Sequence, residues 1–336
     1  MIFVPFPPPI SPQVQAFIED FESVAPTLCV QTSGSTGTPK MLHVQKTEML
    51  ASAQRTCAAL RLKSGDSALL CLPIKYISGK MMVVRALVAK LRLIDVPVTG
   101  HPLAGVPADI DIDFAAMTPL QVFNSLGVPE EKASLCRIKK LIIGGAAIDP
   151  ELEKSLRDLP NEIYSTYGMT ETLSHIALRR LNGPAAQKHY HPLPGIEISA
   201  DEDGCLIIAG TLKSNDIVKI FPDKSFVVLG RKDNVVNSGG VKVQIEVAEA
   251  KLQAANPQNK IVLTAVPDKK FGEMIVALCE GDPESVNCDS LDKYERPKKI
   301  LKISKIPLTP THKTDRAGAR RLAQAIFGGN AGTAEK

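Results

Sequence analysis

Between Thr27 and about Tyr167, short apolar runs alternate with longer stretches of helical periodicity, and this alternation strongly restricts the possible folds. Apolar runs of strand length between amphipathic stretches are typical of parallel strands buried on both faces. The pattern predicts an α/β fold whose large N-terminal domain contains a layered, mostly parallel sheet. Ligands bind such sheets beside the carboxyl ends of the strands, so the loops that follow the strands are the candidate sites. The predicted strands are residues 28–30, 68–72, 93–96, 112–117 and 141–143, and the predicted helices are residues 47–62, 79–91 and 118–126.

Beyond Tyr167 the sequence changes to shorter β-like runs that are separated by Asp and Gly turns. The segment GRKDNVVNSGG, which begins at Gly230, is polar, contains glycine and lies between two apolar regions, so it marks a domain boundary. With 336 residues the chain is long enough for two cores. We predict a large domain over residues 1–230 and a small α+β C-terminal domain over residues 231–336.

The composition argues against several classes of partner. A net charge of +4 is small for this length, and 4% aromatic residues with no Trp give no stacking surface for nucleic acid. Seven cysteines without a CxxC pair indicate neither a disulfide framework nor a zinc site. No membrane span is expected, because the most apolar stretch, residues 81–98, is interrupted by Arg85, Lys90, Arg92 and Asp95. We therefore expect a soluble cytoplasmic protein, and no pattern points to a particular oligomeric state.

The segment TSGSTGTPK, from Thr32 to Lys40, is a candidate phosphate-binding loop. Gly34 and Gly37 allow tight turns, while the hydroxyl groups and the terminal lysine supply donors and positive charge. The apolar run before it predicts a strand that delivers the loop to the edge of a sheet. The Walker pattern is not met, because the lysine follows a proline and precedes a methionine, so an ordinary P-loop kinase or GTPase is disfavoured. A solvated surface turn has the same composition and is the alternative.

Two further segments follow predicted strands of the large domain. In GGAAID, which begins at Gly144, the glycines would let a flat ligand lie against bare backbone, although a plain strand-to-helix turn would also use them. In STYGMTET, Tyr167 could stack on a base, Thr170 could donate to a phosphate and Glu171 could hold a magnesium ion. The alternative for the second segment is a strand end with a solvated glutamate.

Two segments nearer the C-terminus offer a carboxylate and a cation. Asp216, placed with Asn215 before a predicted strand, could accept hydrogen bonds from ribose hydroxyls, or could be a structural turn residue. Lys313 lies in THKTDR, within a proline-punctuated loop, and is either a mobile cation that serves a site or an ordinary surface lysine.

The chain resembles the acyl-adenylate-forming ligases, a family that includes acyl-CoA synthetases, nonribosomal-peptide adenylation domains and luciferases. The resemblance is carried, in family order, by TSGSTGTPK, YGMTET, GRKDNVVNSGGVKV, VPDKKFGEMIVALCEG and PLTPTHKTDR. It implies two half-reactions, in which a carboxylate first attacks the α-phosphate of Mg-ATP and a thiol, usually that of coenzyme A, then displaces AMP. Family members usually carry a longer region before the glycine loop, so we expect a large domain that is N-terminally truncated relative to the family.

The resemblance also implies a role for each matching residue. Around the nucleotide it implies these: magnesium ligands Thr32 and Glu171; pyrophosphate contacts Ser33, Gly34, Ser35, Thr36, Gly37 and Lys40; adenine contacts Gly144, Gly145, Ala146, Tyr167, Gly168 and Met169; α-phosphate contact Thr170; ribose contacts Asp216 and Arg231. Outside the nucleotide it implies these: catalytic lysine Lys313, which bridges substrate carboxylate and phosphate; hinge residue Asp233; pantetheine-tunnel residues Gly239 and Gly240.

Within the family, the tracts LPIKYISGK, TETLSHIALRRLNG and DGCLIIAG resemble the compact o-succinylbenzoate-CoA ligases of menaquinone biosynthesis. Tyr76 stands where the family often has a histidine in its LPxxHxxG segment. The candidates for the substrate wall are Tyr76, Ser78, Ser174 and His175. A dicarboxylate needs a cation for the carboxylate that does not react. That cation could come from Lys75, Lys80 or Arg85, and the alternative for each is a surface or helix charge.

Three functions therefore stay open. The first is an aromatic-acid CoA ligase, with o-succinylbenzoate as the expected substrate. The second is an adenylation enzyme that loads another aryl or acyl acid onto CoA or a carrier-protein thiol. The third is a non-catalytic nucleotide-binding module, against which the intact Lys313, Glu171 and Thr170 argue.

Overall fold

The computed structural model describes residues 9–31, 41–268, 272–309 and 314–330. The chain divides into two compact units, Met1–Ile196 and Glu197–Lys336. Within the described ranges, each helix is too short or too polar to cross a membrane.

The first unit is built on a seven-stranded sheet, counted over the described residues, with the order β4-β3-β5-β6-β7-β8-β9. Its strands are β3 (Ser67–Leu70), β4 (Arg92–Asp95), β5 (Ile112–Met117), β6 (Ile138–Ile143), β7 (Glu162–Gly168), β8 (His175–Arg180) and β9 (His191–Pro192). The strands from β4 to β7 are parallel, and β8 and β9 are antiparallel additions at one edge. This arrangement confirms the predicted mostly parallel sheet.

Helices cover both faces of this sheet, as the alternation predicts. They are α1 (Pro12–Glu22), α2 (Lys46–Ala59), α3 (Ile77–Ala89), α4 (Pro119–Leu126), α5 (Pro129–Cys136) and α6 (Pro150–Leu156). Phe114 of β5 packs in the core formed with α1, α2 and α3, whereas its neighbour Ala115 packs in the core formed with α4, α5 and α6. The strand is therefore buried on both faces, which is why its sequence is a nearly continuous apolar run.

The strand that precedes the predicted phosphate loop lies outside this sheet, contrary to the alternation. It is β1 (Thr27–Gln31), and it pairs antiparallel with β2 (Met41–Gln45) in a separate two-stranded sheet. Gln31 is opposite Met41, so the strands join at the ends next to residues 32–40. Because β2 follows β1 closely in the sequence, it can form the backbone hydrogen bonds of β1, and no distant parallel strand is needed.

The second unit contains two sheets and two helices in its described part. A four-stranded antiparallel sheet consists of β10 (Ile198–Ala200), β11 (Cys205–Ile208), β12 (Leu212–Ile220) and β13 (Phe226–Arg231). The other sheet has the order β15-β14-β17-β16, with β18 parallel to β17. Its elements are β14 (Val235–Ser238), β15 (Val241–Gln244), α7 (Ile245–Ala255), β16 (Lys260–Asp268), β17 (Gly272–Glu280), β18 (Lys299–Lys302) and α8 (Arg316–Asn330).

The second of these sheets forms the predicted small α+β region. Ala248 and Leu252 of α7 pack in one core with this sheet, and Ala319 and Ala323 of α8 pack in another. The boundary predicted at residues 230 and 231 falls inside the second compact unit, at the end of β13. It stays a prediction about where the small domain begins.

Candidate functional site

The carboxyl ends of β6 and β7 bring two of the predicted nucleotide segments together. Ile143, the last residue of β6, is in register with Ser165 of β7, so Gly144 lies next to Thr166 at the same edge of the sheet. A Cβ atom at position 144 would overlap the Thr166 hydroxyl. A larger residue at position 144 would therefore force the Thr166 side chain to move. The loop over residues 144–149 then leads into α6, whose first turn is capped by Asp149.

An aromatic pair lies beside these glycines. The ring centroids of Tyr167 and Tyr190 are 6.0 Å apart, with the planes tilted by 56°. The Tyr190 hydroxyl is 2.7 Å from the Ser165 hydroxyl, and the guanidinium of Arg179 lies 5.6 Å from the Tyr190 ring centroid. The hydrogen bond and the cation–π contact restrict the orientation of Tyr190, and through it that of Tyr167. The ring that was predicted to contact adenine thus has a fixed neighbour.

Thr170 and Glu171 occupy a short 3-10 turn, Thr170–Thr172, directly after β7. The Glu171 side chain is exposed and forms no hydrogen bond or ion pair with another described residue. Magnesium is usually held by one or two carboxylates together with water and substrate phosphates. A single free carboxylate therefore fits that ion. In the part of the chain that is described, no group of three or more His, Cys, Asp and Glu side chains could hold a metal by itself.

A strained bend connects the turn to the substrate wall. Leu173 is buried and has φ 65°, a left-handed conformation that side-chain-bearing residues rarely adopt. The bend reverses the chain, so His175 pairs with Gly168 across β7 and β8. A Cβ atom at position 168 would overlap the Ser174 carbonyl oxygen and the His175 Cα. The predicted adenine segment and the predicted substrate wall are therefore in direct backbone contact.

Arg85 of α3 is buried in this wall, with 2% of its surface exposed. Its Nη2 donates to the Ser174 hydroxyl, and its Nη1 lies 3.7 Å from the Met82 sulfur. Its Nε is buried without a hydrogen-bond partner, and Cys57 is the one charged or ionisable neighbour that shifts the pKa of the guanidinium among the described residues. Burial lowers the pKa of Arg85 to about 10, although the nearby Cys57 opposes this shift. The alternative of a surface charge is wrong for Arg85.

His175 is also buried and contacts two hydroxyl groups. Its Nε2 is 3.1 Å from Oγ1 of Thr56, on α2, and its Nδ1 is 3.4 Å from Oγ of Ser174. Burial lowers the pKa of His175 well below 6.5, and the positive charge of Arg85 lowers it further. The imidazole is therefore neutral at physiological pH.

The other predicted wall residues lie at the start of α3. Tyr76 is half-buried, and its backbone forms a parallel bridge with Gln31, the last residue of β1. Ser78 is exposed in the first turn of the helix. Lys75 is exposed, and the Lys80 ammonium lies 4.5 Å from the ring centroid of Phe17. Helix α3 thus begins directly after the residue that pairs with the end of β1, and the buried Arg85 lies further along it.

In the second unit, the two predicted ribose residues face each other. Asp216 of β12 is in register with Arg231 of β13, and their side chains form an ion pair of 3.5 Å. Arg231 also lies 3.3 Å from Asp233, which accepts a hydrogen bond of 3.1 Å from Asn215. Asn215 and Asp216 lie inside β12 instead of before a strand, because the strand begins at Leu212.

The predicted hinge and tunnel residues also lie in the second unit. Asp233 is in the 3-10 turn Lys232–Asn234 that follows β13. Gly239 and Gly240 form the two-residue turn between β14 and β15, with φ 62° and 84°. Positive φ at both positions is what a tight hairpin of this length demands, so the fold alone accounts for glycine there.

Eight predicted site residues lie outside the described part of the chain. They are Thr32, Ser33, Gly34, Ser35, Thr36, Gly37, Lys40 and Lys313. The structure also adds one residue that was not predicted, Thr56. A sequence signal for it exists, because Thr56 follows Met49 and Ala53 and precedes Leu60 on one helical face, where a polar residue among apolar ones is conspicuous.

Comparison with known proteins places these features in a family. The AMP-binding enzyme family model matches residues 22–209, more than half of the 336-residue chain. The 2-succinylbenzoate--CoA ligase of Escherichia coli (strain K12) is 29% identical over 298 residues, a match that covers 81% of this chain and 63% of that protein. The chain thus spans less than two thirds of the length of this curated relative.

Two solved structures are similar over most of the chain. The acyl-CoA synthetase (AMP-forming)/AMP-acid ligase II-like protein from Dyadobacter fermentans is 35% identical, with a TM-score of 0.64 and 95% of both chains covered. E. coli MenE, solved with a bound phenylether-linked analogue of OSB-AMS, is 26% identical, with a TM-score of 0.70. That match covers 88% of this chain and 69% of the MenE chain.

Proposed function

Because the chain belongs to the AMP-binding enzyme family, we propose that it is an acid-thiol ligase that activates a carboxylic acid with ATP and transfers it to coenzyme A. In the first step a carboxylate oxygen bonds to the α-phosphorus of ATP, and the bond to the departing pyrophosphate breaks. In the second, the CoA sulfur bonds to the acyl carbon and AMP leaves with the former carboxylate oxygen. The acid we propose is o-succinylbenzoate, on the strength of similarity to a 2-succinylbenzoate--CoA ligase across 81% of this chain.

The observation that carries this choice of acid is the buried, uncompensated guanidinium of Arg85. A buried cation without a partner is unfavourable, and a carboxylate that accepts two N–H bonds is its best complement. Arg85 has a free buried Nε and a weak sulfur contact at Nη1, so it can still donate to an anion. Succinylbenzoate carries two carboxylates, and the one that does not react would pair with Arg85. A monocarboxylic acid would leave the guanidinium unpaired.

The chain's own residues supply the remaining parts of the proposed site. Thr170, next to the carboxyl end of β7, would donate its hydroxyl hydrogen bond to the α-phosphate. Glu171, together with Thr32, would hold a magnesium ion, which when bound neutralises phosphate charge. Lys313 would bridge the reacting carboxylate and the phosphate. The roles proposed for the glycine loop at pyrophosphate, for Asp216 and Arg231 at the ribose, for Asp233 as hinge and for Gly239 and Gly240 at pantetheine stay predictions.

ATP–pyrophosphate exchange tests the proposal. We expect the wild type to exchange with succinylbenzoate and to respond much more weakly to the analogue that lacks the non-reacting carboxylate. Arg85→Met should lower kcat/KM for succinylbenzoate by about 30-fold or more, since truncating one side of a buried charged pair costs roughly 2–5 kcal/mol. The variant should change little with the analogue. Arg92→Met, an exposed arginine just beyond α3, is the matched control.

Each other outcome identifies an alternative. Exchange with succinylbenzoate but no thioester with CoA would indicate a carrier-protein thiol as the acceptor. Exchange only with other acids would exclude succinylbenzoate as the substrate. No exchange with any acid of a broad panel would support a non-catalytic nucleotide-binding module. An equal loss for the acid and its analogue in Arg85→Met would show that the guanidinium does not contact the second carboxylate.

A further inference from the structure

A hydrogen-bonded chain of side chains runs behind Arg85, across three elements of the first unit. Arg85 of α3 donates to the hydroxyl of Ser174 at the start of β8. The Ser174 hydroxyl is 3.4 Å from Nδ1 of His175, whose Nε2 is 3.1 Å from Oγ1 of Thr56 on α2. Oγ1 of Thr56 also lies 3.2 Å from the backbone carbonyl oxygen of Ser52, one turn earlier. The chain is buried from Thr56 to His175.

The donors and acceptors that each group possesses fix the direction of every hydrogen bond in this network. A guanidinium only donates, so the Ser174 oxygen accepts from Arg85 and its single hydrogen is left for Nδ1 of His175. A carbonyl only accepts, so the Thr56 hydrogen goes to Ser52 and the Thr56 oxygen accepts from Nε2 of His175. The network thereby assigns His175 as the neutral tautomer with its proton on Nε2. An imidazolium would place a second donor against Ser174, and burial of His175 together with the charge of Arg85 disfavours it by lowering the pKa.

We propose that His175 and Thr56 are positioning residues that orient the Ser174 hydroxyl, and through it the Arg85 guanidinium, toward the second carboxylate of the acid. The inference rests on the proposed function, because it concerns how that site selects a dicarboxylate. With Nδ1 of His175 in place, the lone pair of Ser174 faces Arg85. Without that acceptor the Ser174 hydrogen can turn toward Arg85, and Nη2 then faces an O–H bond where it had faced a lone pair.

The backbone supports the same arrangement. The bend at Leu173, with φ 65°, comes directly before Ser174 and His175. The Thr172 hydroxyl lies 2.7 Å from the Ser174 carbonyl oxygen, which fixes the peptide that carries the serine. Close contact with Gly168 leaves no room for this segment to shift toward β7. The side-chain network therefore needs to set only the Ser174 rotor and the ring of His175.

Two substitutions at His175 separate positioning from packing. The amide of asparagine reaches the place of Nδ1 and can accept from Ser174, whereas the longer glutamine places its amide near Nε2 and Thr56. We expect His175→Gln to raise KM for succinylbenzoate about five- to tenfold at nearly constant kcat, the effect of one lost hydrogen bond. His175→Asn should stay within about twofold of the wild type, the order of a few tenths of a kcal/mol. Neither variant should change KM for the analogue without the second carboxylate.

A second pair of variants and a spectroscopic measurement make the test independent of any one substitution. Thr56→Val removes the acceptor for Nε2 and should raise KM for succinylbenzoate, whereas Thr56→Ser should not. The ¹⁵N spectrum of histidine-labelled wild-type protein, assigned with His175→Asn, should show a protonated Nε2 and a bare Nδ1 at neutral pH.

Failure of the positioning role and failure of the proposed reaction would give different results. A protonated Nδ1, equal KM values for the Asn and Gln variants, or the same KM increase with the analogue would each overturn the positioning role while the proposed reaction stands. A wild type that turns over no dicarboxylate would overturn the proposed function and this inference together.

Discussion

Replacing Arg85 by methionine is expected to make the ligand-free protein more stable, although it removes the group that would bind the second carboxylate. The guanidinium is almost fully buried, and no described carboxylate contributes to its pKa. The methionine side chain is apolar and similar in length to that of arginine, and the neighbouring residues of α3 are buried and apolar. Exchanging a buried ionic group for a well-packed apolar one is often stabilising by about 1–4 kcal/mol.

The size of the effect follows from the pKa. Burial lowers the pKa of Arg85 from 12.5 to about 10, and each pKa unit corresponds to ~1.4 kcal/mol, so keeping the charge in the fold costs about 3 kcal/mol. Loss of the hydrogen bond to Ser174 opposes the gain by about 1–2 kcal/mol. We expect a net increase of about 1–2 kcal/mol in the free energy of unfolding. Because the unfolded chain binds this proton more tightly than the folded one, the penalty is complete below the folded pKa of about 10 and is relieved as the pH rises from there toward the unfolded value of 12.5.

Urea denaturation without ligand measures this gain, which should be constant between about pH 6 and 9. In a thermal scan it corresponds to roughly 2–8 °C for a unit of this size. Succinylbenzoate at about 100 times its wild-type Kd should stabilise the wild type by about 2.7 kcal/mol, whereas an affinity about 30-fold weaker would limit the gain of Arg85→Met to about 1 kcal/mol or less at the same concentration. Arg92→Met should stay within about 0.5 kcal/mol of the wild type. A loss of about 1 kcal/mol or more in ligand-free Arg85→Met would refute the reasoning, because the guanidinium would then be holding the fold together.

Three further predictions concern other parts of the site. Lys313→Ala should lose adenylation but still form thioester from supplied acyl-adenylate, and an equal loss of both steps would contradict its proposed role. Gly168→Ala should destabilise the protein by about 1–3 kcal/mol and raise KM for the acid, since its Cβ would overlap backbone atoms of Ser174 and His175; unchanged denaturation and kinetics would speak against that contact. The unfolded chain takes up a proton near pH 6.5 that the buried His175 does not, so the wild type should lose up to ~1.4 kcal/mol per pH unit below this value relative to His175→Asn. Parallel urea curves from pH 7 to 5 would argue against a buried neutral imidazole.

The fold of the large sheet could be predicted because its strands are buried on both faces. The predicted strand over residues 112–117 coincides with β5, whose side chains alternate between two cores. The place of β1 could not be predicted in the same way. A short apolar run indicates that a strand is buried but does not indicate which strand it pairs with. Here β1 pairs with β2 instead of joining the parallel sheet.

The parts of the candidate site that depend on strand order could be predicted, whereas the contacts that depend on side-chain packing could not. The carboxyl ends of β6 and β7 meet at one edge because the strands are parallel, so the glycine segment after β6 lies beside the end of β7. For Arg85 a surface or helix charge is the alternative to a substrate cation in the sequence, although MMVVRALVA is apolar on all sides of it and a helix of that kind is buried. Thr56 and His175 are far apart in the sequence, and only the packing of α2 against the start of β8 shows that they are hydrogen-bonded.

A buried cation that lowers the stability of the ligand-free protein is better explained by discrimination between acids than by tight binding alone. An apolar wall would distinguish acids of similar size poorly, because one methylene contributes only about 1–3 kcal/mol. A wall that contains Arg85 leaves that charge buried and unpaired when a monocarboxylate is bound, which is unfavourable. A dicarboxylate pairs with the charge and is therefore preferred. The energy for this discrimination is already present in the ligand-free fold as the depressed pKa of Arg85. In the proposed site the orientation of the guanidinium would decide how much of this energy the second carboxylate recovers, so we expect the hydroxyl of Ser174 and the neutral ring of His175 to affect specificity.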